Sequence, residues 1–351
     1  MTRDAQRLPL TDFGSPNLQN AYQLVIAAES SALDAVDRMD CRVVGYLMIN
    51  LYKSRSILGD APLTQIVQQV TSTDYGDTII YKVGKYYRQN LIHAFRTTGP
   101  LPRPPSPQSF RNLQEMIQDA MSTSTSNHRT LQNRALIRDN FRCMITGEYD
   151  ETTYNILEKS DPSSADQIQS TVATNYCHII GETTIQRIQR TRREGDTNIL
   201  TLFGLTSLVD RVIQPGGIND LSNILTLRPE LHLMFNHLKL WFEGTETPNE
   251  YNICVSNEKS LRAFQVARRR IQFRVNNIDY INSEQQRLLL PLPDPKLLAI
   301  HAICAKVAHL SGAAEHFDLI DREREEGTVL EEDGSSAALL DELLSGLVLR
   351  R

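Results

Sequence analysis

Three short stretches decide the reading of this chain: Cys177-His178-Ile179-Ile180, Asn223-Ile224-Leu225-Thr226-Leu227 and Leu231-His232-Leu233-Met234-Phe235-Asn236. The first follows Thr171 to Tyr176, where β-branched Thr171, Val172 and Thr174 predict a strand that runs into the histidine. The second predicts a loop or short strand. Arg228-Pro229-Glu230 then opens a helix, because proline is tolerated at the first helical position and glutamate suits the positive end. Within that helix His232 and Asn236 stand four apart, on one face and one turn from each other. Leu231 and Phe235 on the adjoining face are placed to pack on the strands. A lone histidine at a strand end therefore lies opposite a helix carrying a second histidine, with Asn223 positioned to brace the turn between them.

The flanks extend this unit. Upstream, Arg138-Asp139-Asn140-Phe141-Arg142-Cys143-Met144-Ile145-Thr146-Gly147 alternates at Phe141, Cys143 and Ile145, which predicts a short half-buried strand closed by a Thr-Gly turn. Glu182 to Val212 reads as a helical insertion ended by Pro215-Gly216-Gly217. Trp241-Phe242-Glu243-Gly244 closes the unit, and Tyr251 to Val255 returns as a strand. Residues 16–98 carry apolar residues near helical spacing. Gly99 to Pro107 is dense in proline, which fixes φ and removes donors, so it reads as an extended linker. Phe110 to Met121, Arg129 to Arg138 and Pro293 to Leu310 predict further helices. Asp321 to Gly334 is acidic enough to predict disorder, and Leu339 to Leu349 a short terminal helix.

The ordered motifs R-D-x-x-x-C-x-x-T-G, C-H-I-I, N-I-L-T-L-x-x-x-L-H and F-N, over about 138–245, resemble the HNH endonuclease domain, the ββα-metal fold. The variant most like them occurs in uncharacterised fungal proteins. The resemblance implies an α+β chain: a ββα-metal core with a helical insertion, preceded by a mostly helical region and followed by a C-terminal helix and acidic tail. It divides the chain into 1–98 helical, 99–107 linker, 108–275 nuclease-like with an insertion at 183–217, 276–320 helical and 321–351 acidic tail. It implies His178 as the base that activates water, Asn223 as the structural brace, His232 as a metal ligand, and Asn236 and Cys177 as further ligand positions. Where active relatives often carry Asp before the base, this chain has Cys177; where they carry Asp or His one turn on, it has Asn236. Hard Mg²⁺ prefers carboxylates, so Cys177 with His232 suits Zn²⁺ or another softer ion unless Asp139, Glu148, Asp150, Glu182 or Asp220 completes the shell. Mn²⁺ and Ni²⁺ also stay open. The 45 residues between His178 and Asn223 require residues 183–217 to loop out.

The implied activity is metal-dependent hydrolysis of a nucleic-acid phosphodiester, DNA being the expected substrate. Arg187 and Arg190, with Arg192 and Arg193, and Arg268-Arg269-Arg270, with Arg262 and Arg274, are the expected phosphate contacts. A solvated helix face explains either run equally well. The rival function is a noncatalytic HNH scaffold that binds nucleic acid or protein, which the missing carboxylates favour.

Composition bounds the rest. An apolar fraction of 40% and a charged fraction of 23% are ordinary for a globular chain. No apolar run approaches the ~20 residues of a membrane span, and the N-terminus lacks a signal-peptide core. Five scattered cysteines fit reduced thiols, so an intracellular, nuclear or cytoplasmic protein is expected. Cys143 and Cys177 read as small buried residues, and His237 as a solvent-facing cap. The net charge of −5 is uneven: residues 315–351 hold eleven acidic residues against four arginines, and the remainder is net +2.

Overall fold

The computed structural model describes residues 5–72, 76–97, 101, 110–122, 128–193, 199–214, 217–264, 266, 268–274 and 290–325. The proline-rich stretch and the tail beyond 325 lie outside the described residues. The chain is α+β, built of helices and small sheets.

The N-terminal region is helical as its periodicity predicts. Helix α1 (Pro16–Ser31) begins on a proline, and α2 (Ala35–Lys53) starts at Asp34, whose carboxylate accepts from the Val36 and Asp37 amides. Helix α3 (Asp77–Tyr87) crosses α2 so closely that Gly84 has no room for a side chain: a Cβ there would lie 2.2 Å from the Asp40 carbonyl oxygen. One turn on, the buried Arg88 guanidinium grips Asp40 at 2.7 and 3.3 Å. Alanine at 84 gains helix propensity, but the clash is with backbone, which cannot rotate away. Gly84→Ala should therefore lower stability by about 1–3 kcal/mol; a urea midpoint equal to wild type would refute this contact.

The site elements follow. Helix α4 (His128–Arg138) ends where Asn140 and Phe141 take positive φ, 55° and 58°. The strand expected over Phe141 to Ile145 is absent: those two left-handed residues turn the backbone, and only an isolated bridge from Arg142 to Tyr149 remains. Strand β1 (Asn175–His178) pairs antiparallel with β2 (Ile224–Leu227), with Cys177 opposite Leu225 and His178 opposite Ile224. Between them run α5 (Glu182–Arg193), a turn of helix at Ile199–Leu202 and α6 (Thr206–Ile213). Helix α7 (Pro229–Asn236) follows β2 after one residue. A three-stranded antiparallel sheet then forms from β3 (Leu240–Gly244), β4 (Glu250–Val255) and β5 (Arg270–Gln272).

Helix α8 (Pro295–Ser311) joins the two ends of the molecule. Asp294 caps it, Gly312 at φ 94° ends it, and it is apolar nearly all round, so it must be enclosed. It packs on α2 and on β3. His301 stacks flat on Phe235, centroids 3.6 Å apart, with Nε2 3.1 Å from the Phe235 carbonyl oxygen. One continuous hydrophobic core results, running from the N-terminal helices through β1, β2, α7 and β3 to α8.

Helix α9 (Ala313–Glu325) carries the start of the acidic stretch expected to be disordered. Asp318 and Asp321 bind the buried Arg96 guanidinium, and Asp318 also reaches Lys239 at 3.0 Å. Of the stretch expected to be disordered, residues 321–325 continue this helix, and Asp321, the first residue of the stretch, pairs with the buried Arg96; the rest lies outside the described residues. Among the described residues no single helix is long and apolar enough to cross a membrane.

Candidate functional site

Asn223 is fully buried at the end of a short 3₁₀ turn, immediately before β2. Its Oδ1 accepts from the Ile180 amide at 2.9 Å, and its Nδ2 donates to the carbonyls of Ile180 and Ile218, both at 3.1 Å. Its own carbonyl accepts from the Ile179 amide at 2.8 Å. Backbone groups that the chain leaves unpaired just past β1 are thus satisfied by one side chain, which ties the segment after His178 to the start of β2.

His178 and His232 come from β1 and α7, and His178 lies close enough to oppose protonation of His232, as His128 opposes that of His178. Burial is the main cause of their low basicity, and it holds both near pKa 4. For His178 a side-chain bond to Asn219 works in the opposite direction. His178 Nε2 and His232 Nδ1 are buried with no hydrogen-bond partner. Tyr176, two residues back on the same strand face, meets the His178 ring edge-on at 5.4 Å and 88°. The Tyr176 hydroxyl is held by His128 Nδ1 at 2.6 Å, from the start of α4.

The remaining expected ligand positions are engaged elsewhere. Cys177 is fully buried, and burial pushes its thiol well above the usual range. The thiol lies 3.8 Å from Asn236 Oδ1, and the Asn236 carbonyl accepts from the Thr97 amide. Asp139 accepts two bonds from Arg138 and one from Thr226. Glu148 pairs with Arg228 at 3.0 Å. Asp150 accepts from Thr153 and Thr174, Asp220 from Ser222, and Glu182 from Gln186. Among the described residues no three His, Cys, Asp or Glu side chains gather where they could hold a metal ion. Two neutral imidazoles, a protonated thiol and an amide do not fit a hard divalent cation such as Mg²⁺.

Of the expected phosphate contacts, Arg268, Arg269 and Arg270 are exposed. Arg269 pairs with Glu258 at 2.6 Å and Arg270 with Glu250 at 3.5 Å. Arg187 and Arg190 fall on α5, and their side chains lie outside the described set. His237 is half-buried rather than solvent-facing, and burial with Arg96 and Lys239 nearby lowers its pKa.

Sequence reasoning missed Asn219, Tyr176 and His128. The two-residue period of a strand carries the signal for Tyr176. Nothing local points to His128, 50 residues from His178.

The antiparallel pair β1–β2, joined through the inserted helices, and the helix after it bring His178, Asn223 and His232 into one region. Residues 143–243 match a family model described as HNH endonuclease, so under a third of the chain is similar to that domain. No curated protein matches this chain, and neither does any solved structure. The likeness supports a nuclease-class domain and a nucleic-acid substrate in general terms, and HNH nucleases generally use a divalent ion.

Proposed function

We propose that the HNH-like segment hydrolyses phosphodiester bonds of DNA, with His178 as the base. The observation that carries this reading is the pair of buried, unpartnered ring nitrogens on His178 and His232. An unsatisfied polar atom in the interior costs free energy, and two within electrostatic reach of each other mark a place built for a polar occupant. His178 Nε2 would take a proton from water as the water oxygen attacks phosphorus. The P–O bond on the far side breaks, and the leaving oxygen takes a proton from solvent. The ring is neutral at pH 7 and so keeps a lone pair, while the burial that lowers its pKa to about 4 also weakens it as a base. Asn223 holds the backbone on which His178 sits, and the exposed Arg268, Arg269 and Arg270 are the phosphate contacts that would hold the duplex without reading its sequence.

Divalent-ion dependence belongs to the same proposal as a family property. The described donors do not supply the shell, so ligands from the substrate phosphate or from residues outside the described set would have to complete it.

The test is nicking of supercoiled plasmid by the full chain with Mg²⁺, Mn²⁺, Ni²⁺ or Zn²⁺, beside His178→Ala. Nicking that falls by about 10²–10⁴-fold in the variant is expected for loss of a general base. Equal activity in both proteins would remove His178 from the chemistry. The second reading, a noncatalytic HNH scaffold, draws on the absence of a carboxylate cluster among the described residues. Folded wild type that binds plasmid and nicks it with none of the four ions would select it.

A further inference from the structure

A guanidinium or ammonium group that holds a carboxylate can equally hold a phosphate, because both anions offer charged oxygens as acceptors. Two such cations, Arg96 and Lys239, sit at the C-terminal end of α7, the helix that carries His232. The Thr97 amide donates to the Asn236 carbonyl at 2.9 Å, and the Lys239 amide to the Met234 carbonyl at 2.8 Å. The segment before Thr97 is tied in turn to the chain after His178, where the Thr184 hydroxyl donates to the Ala94 carbonyl. The pair of cations therefore borders the region that gathers His178, Asn223 and His232.

Both cations meet α9. Asp318 and Asp321 stand three apart, on one face of that helix. The Arg96 guanidinium binds Asp318 at 2.5 Å and also Asp321, and it lies over the Phe317 ring at 5.7 Å. A cation this deeply buried needs its carboxylates, so the bond from Arg96 to Asp321 belongs to the fold. Lys239 differs. Its ammonium reaches Asp318 at 3.0 Å while both side chains stay more than a third exposed. Such a pair is weakly held, so Lys239 can exchange Asp318 for another anion without any movement of α9.

We propose that Lys239 is a phosphate-contact subsite at the border of the candidate site, and that Asp318 occupies it in cis. A nucleic-acid phosphate must displace the carboxylate to bind there, so the acidic helix lowers affinity for the substrate. Arg96, bonded to the same Asp318, holds the carboxylate in place. This inference rests on a nucleic acid being the substrate, as the proposed function has it, and not on His178 being the base.

The experiment is a double-mutant cycle on the full chain: wild type, Asp318→Asn, Lys239→Gln and the two together, with thermal unfolding confirming the fold of each. Asp321 keeps Arg96 paired in every variant. Binding of a fluorescein-labelled DNA duplex is followed by anisotropy across a salt series. Asp318→Asn frees Lys239 and should tighten binding by about 3- to 10-fold at low salt. Its slope of log K against log salt should steepen by about 0.9, the mark of one more neutralised phosphate. Lys239→Gln alone should change little, because its contact is already blocked. In the Lys239→Gln background the gain from Asp318→Asn should shrink to less than about 2-fold.

An equal gain in both backgrounds would mean that the lost negative charge acts at a distance, and would overturn the proposal. So would unchanged affinity in Asp318→Asn, or no binding of the duplex by any of the four proteins at low salt. Nicking that is lost in His178→Ala, beside an Asp318→Asn protein that binds like wild type, would sink the subsite and leave the base in place. The expected cycle in a chain that never nicks plasmid would uphold the subsite and sink the catalytic reading instead.

Discussion

Arg138→Leu should destabilise the fold by about 3–5 kcal/mol, the range for breaking a buried ion pair from one side. The guanidinium is fully buried and all five of its donors are used. Nε and Nη2 grip the two Asp139 oxygens at 2.7 and 2.8 Å, and Nη2 also donates to the Ile224 carbonyl at 3.0 Å. Nη1 donates to the Leu221 and Pro291 carbonyls at 2.7 and 3.3 Å. Leucine fills much of the space but strands the Asp139 charge and removes the Arg138 donors from the Ile224 and Pro291 carbonyls, while the Leu221 carbonyl keeps the Ile224 amide. Leu221 and Ile224 flank Asn223, so Arg138 also fixes the segment that ties β2 to the end of β1. Arg138→Lys keeps a charge but not the planar fork, so it should recover only part of the loss. Asp139→Asn made in the Arg138→Leu background should restore some stability by removing the stranded charge. Urea unfolding measures all of these, and a single-variant loss below about 1 kcal/mol would show the network to be dispensable.

Acidification between pH 6.5 and 4 should remove several kcal/mol of stability. Burial holds His178 and His232 near pKa 4 and His301 near 3, against an ordinary 6.5. Between these limits the unfolded chain binds protons that the folded chain refuses, so stability rises with pH across the window. It is fully present above about pH 6.5, declines as pH falls, and stops changing from the first two groups below about pH 4. Each pK unit corresponds to ~1.4 kcal/mol, so even partial expression of three such shifts is a large share of a domain's stability. The carboxylates that titrate low, such as Asp318 and Glu243, lose their pairing below their own ordinary values of 3.8 and 4.5 and leave the upper part of the window to histidine. Urea midpoints at about pH 7.5, 6, 5 and 4.5 should therefore fall stepwise. His301→Phe, which keeps the stack on Phe235 without a titrating ring, should flatten the curve. A midpoint constant down to about pH 5 would contradict the burial of these rings.

What could be read from particular residues was local. Pro229 and Glu230 start α7, Asp294 and Pro295 start α8, and the four-residue spacing of His232 and Asn236 sets one helix face, because capping and periodicity act within a turn or two. The β-branched residues from Thr171 likewise announced the strand that runs into His178, whereas N-I-L-T-L read as either a loop or a short strand and its pairing with β1 came from the fold. The failed strand at Phe141 shows the limit of such reading. Its alternation was correct, but two left-handed residues and the Arg138 network turn the backbone there.

The sequence by itself determined the main helices and the strand that runs into His178, products of short-range dihedral and burial preferences. Tertiary structure decided which carboxylates were already taken, and so why five acidic residues near the motif in sequence supply no metal shell. It also decided that Asn219 reaches His178 from across the insertion, that α9 answers Arg96, and that α8 closes one core over both ends of the chain. Those outcomes depend on contacts tens to hundreds of residues apart, where pairing charges and excluding water from apolar surface outweigh any local propensity.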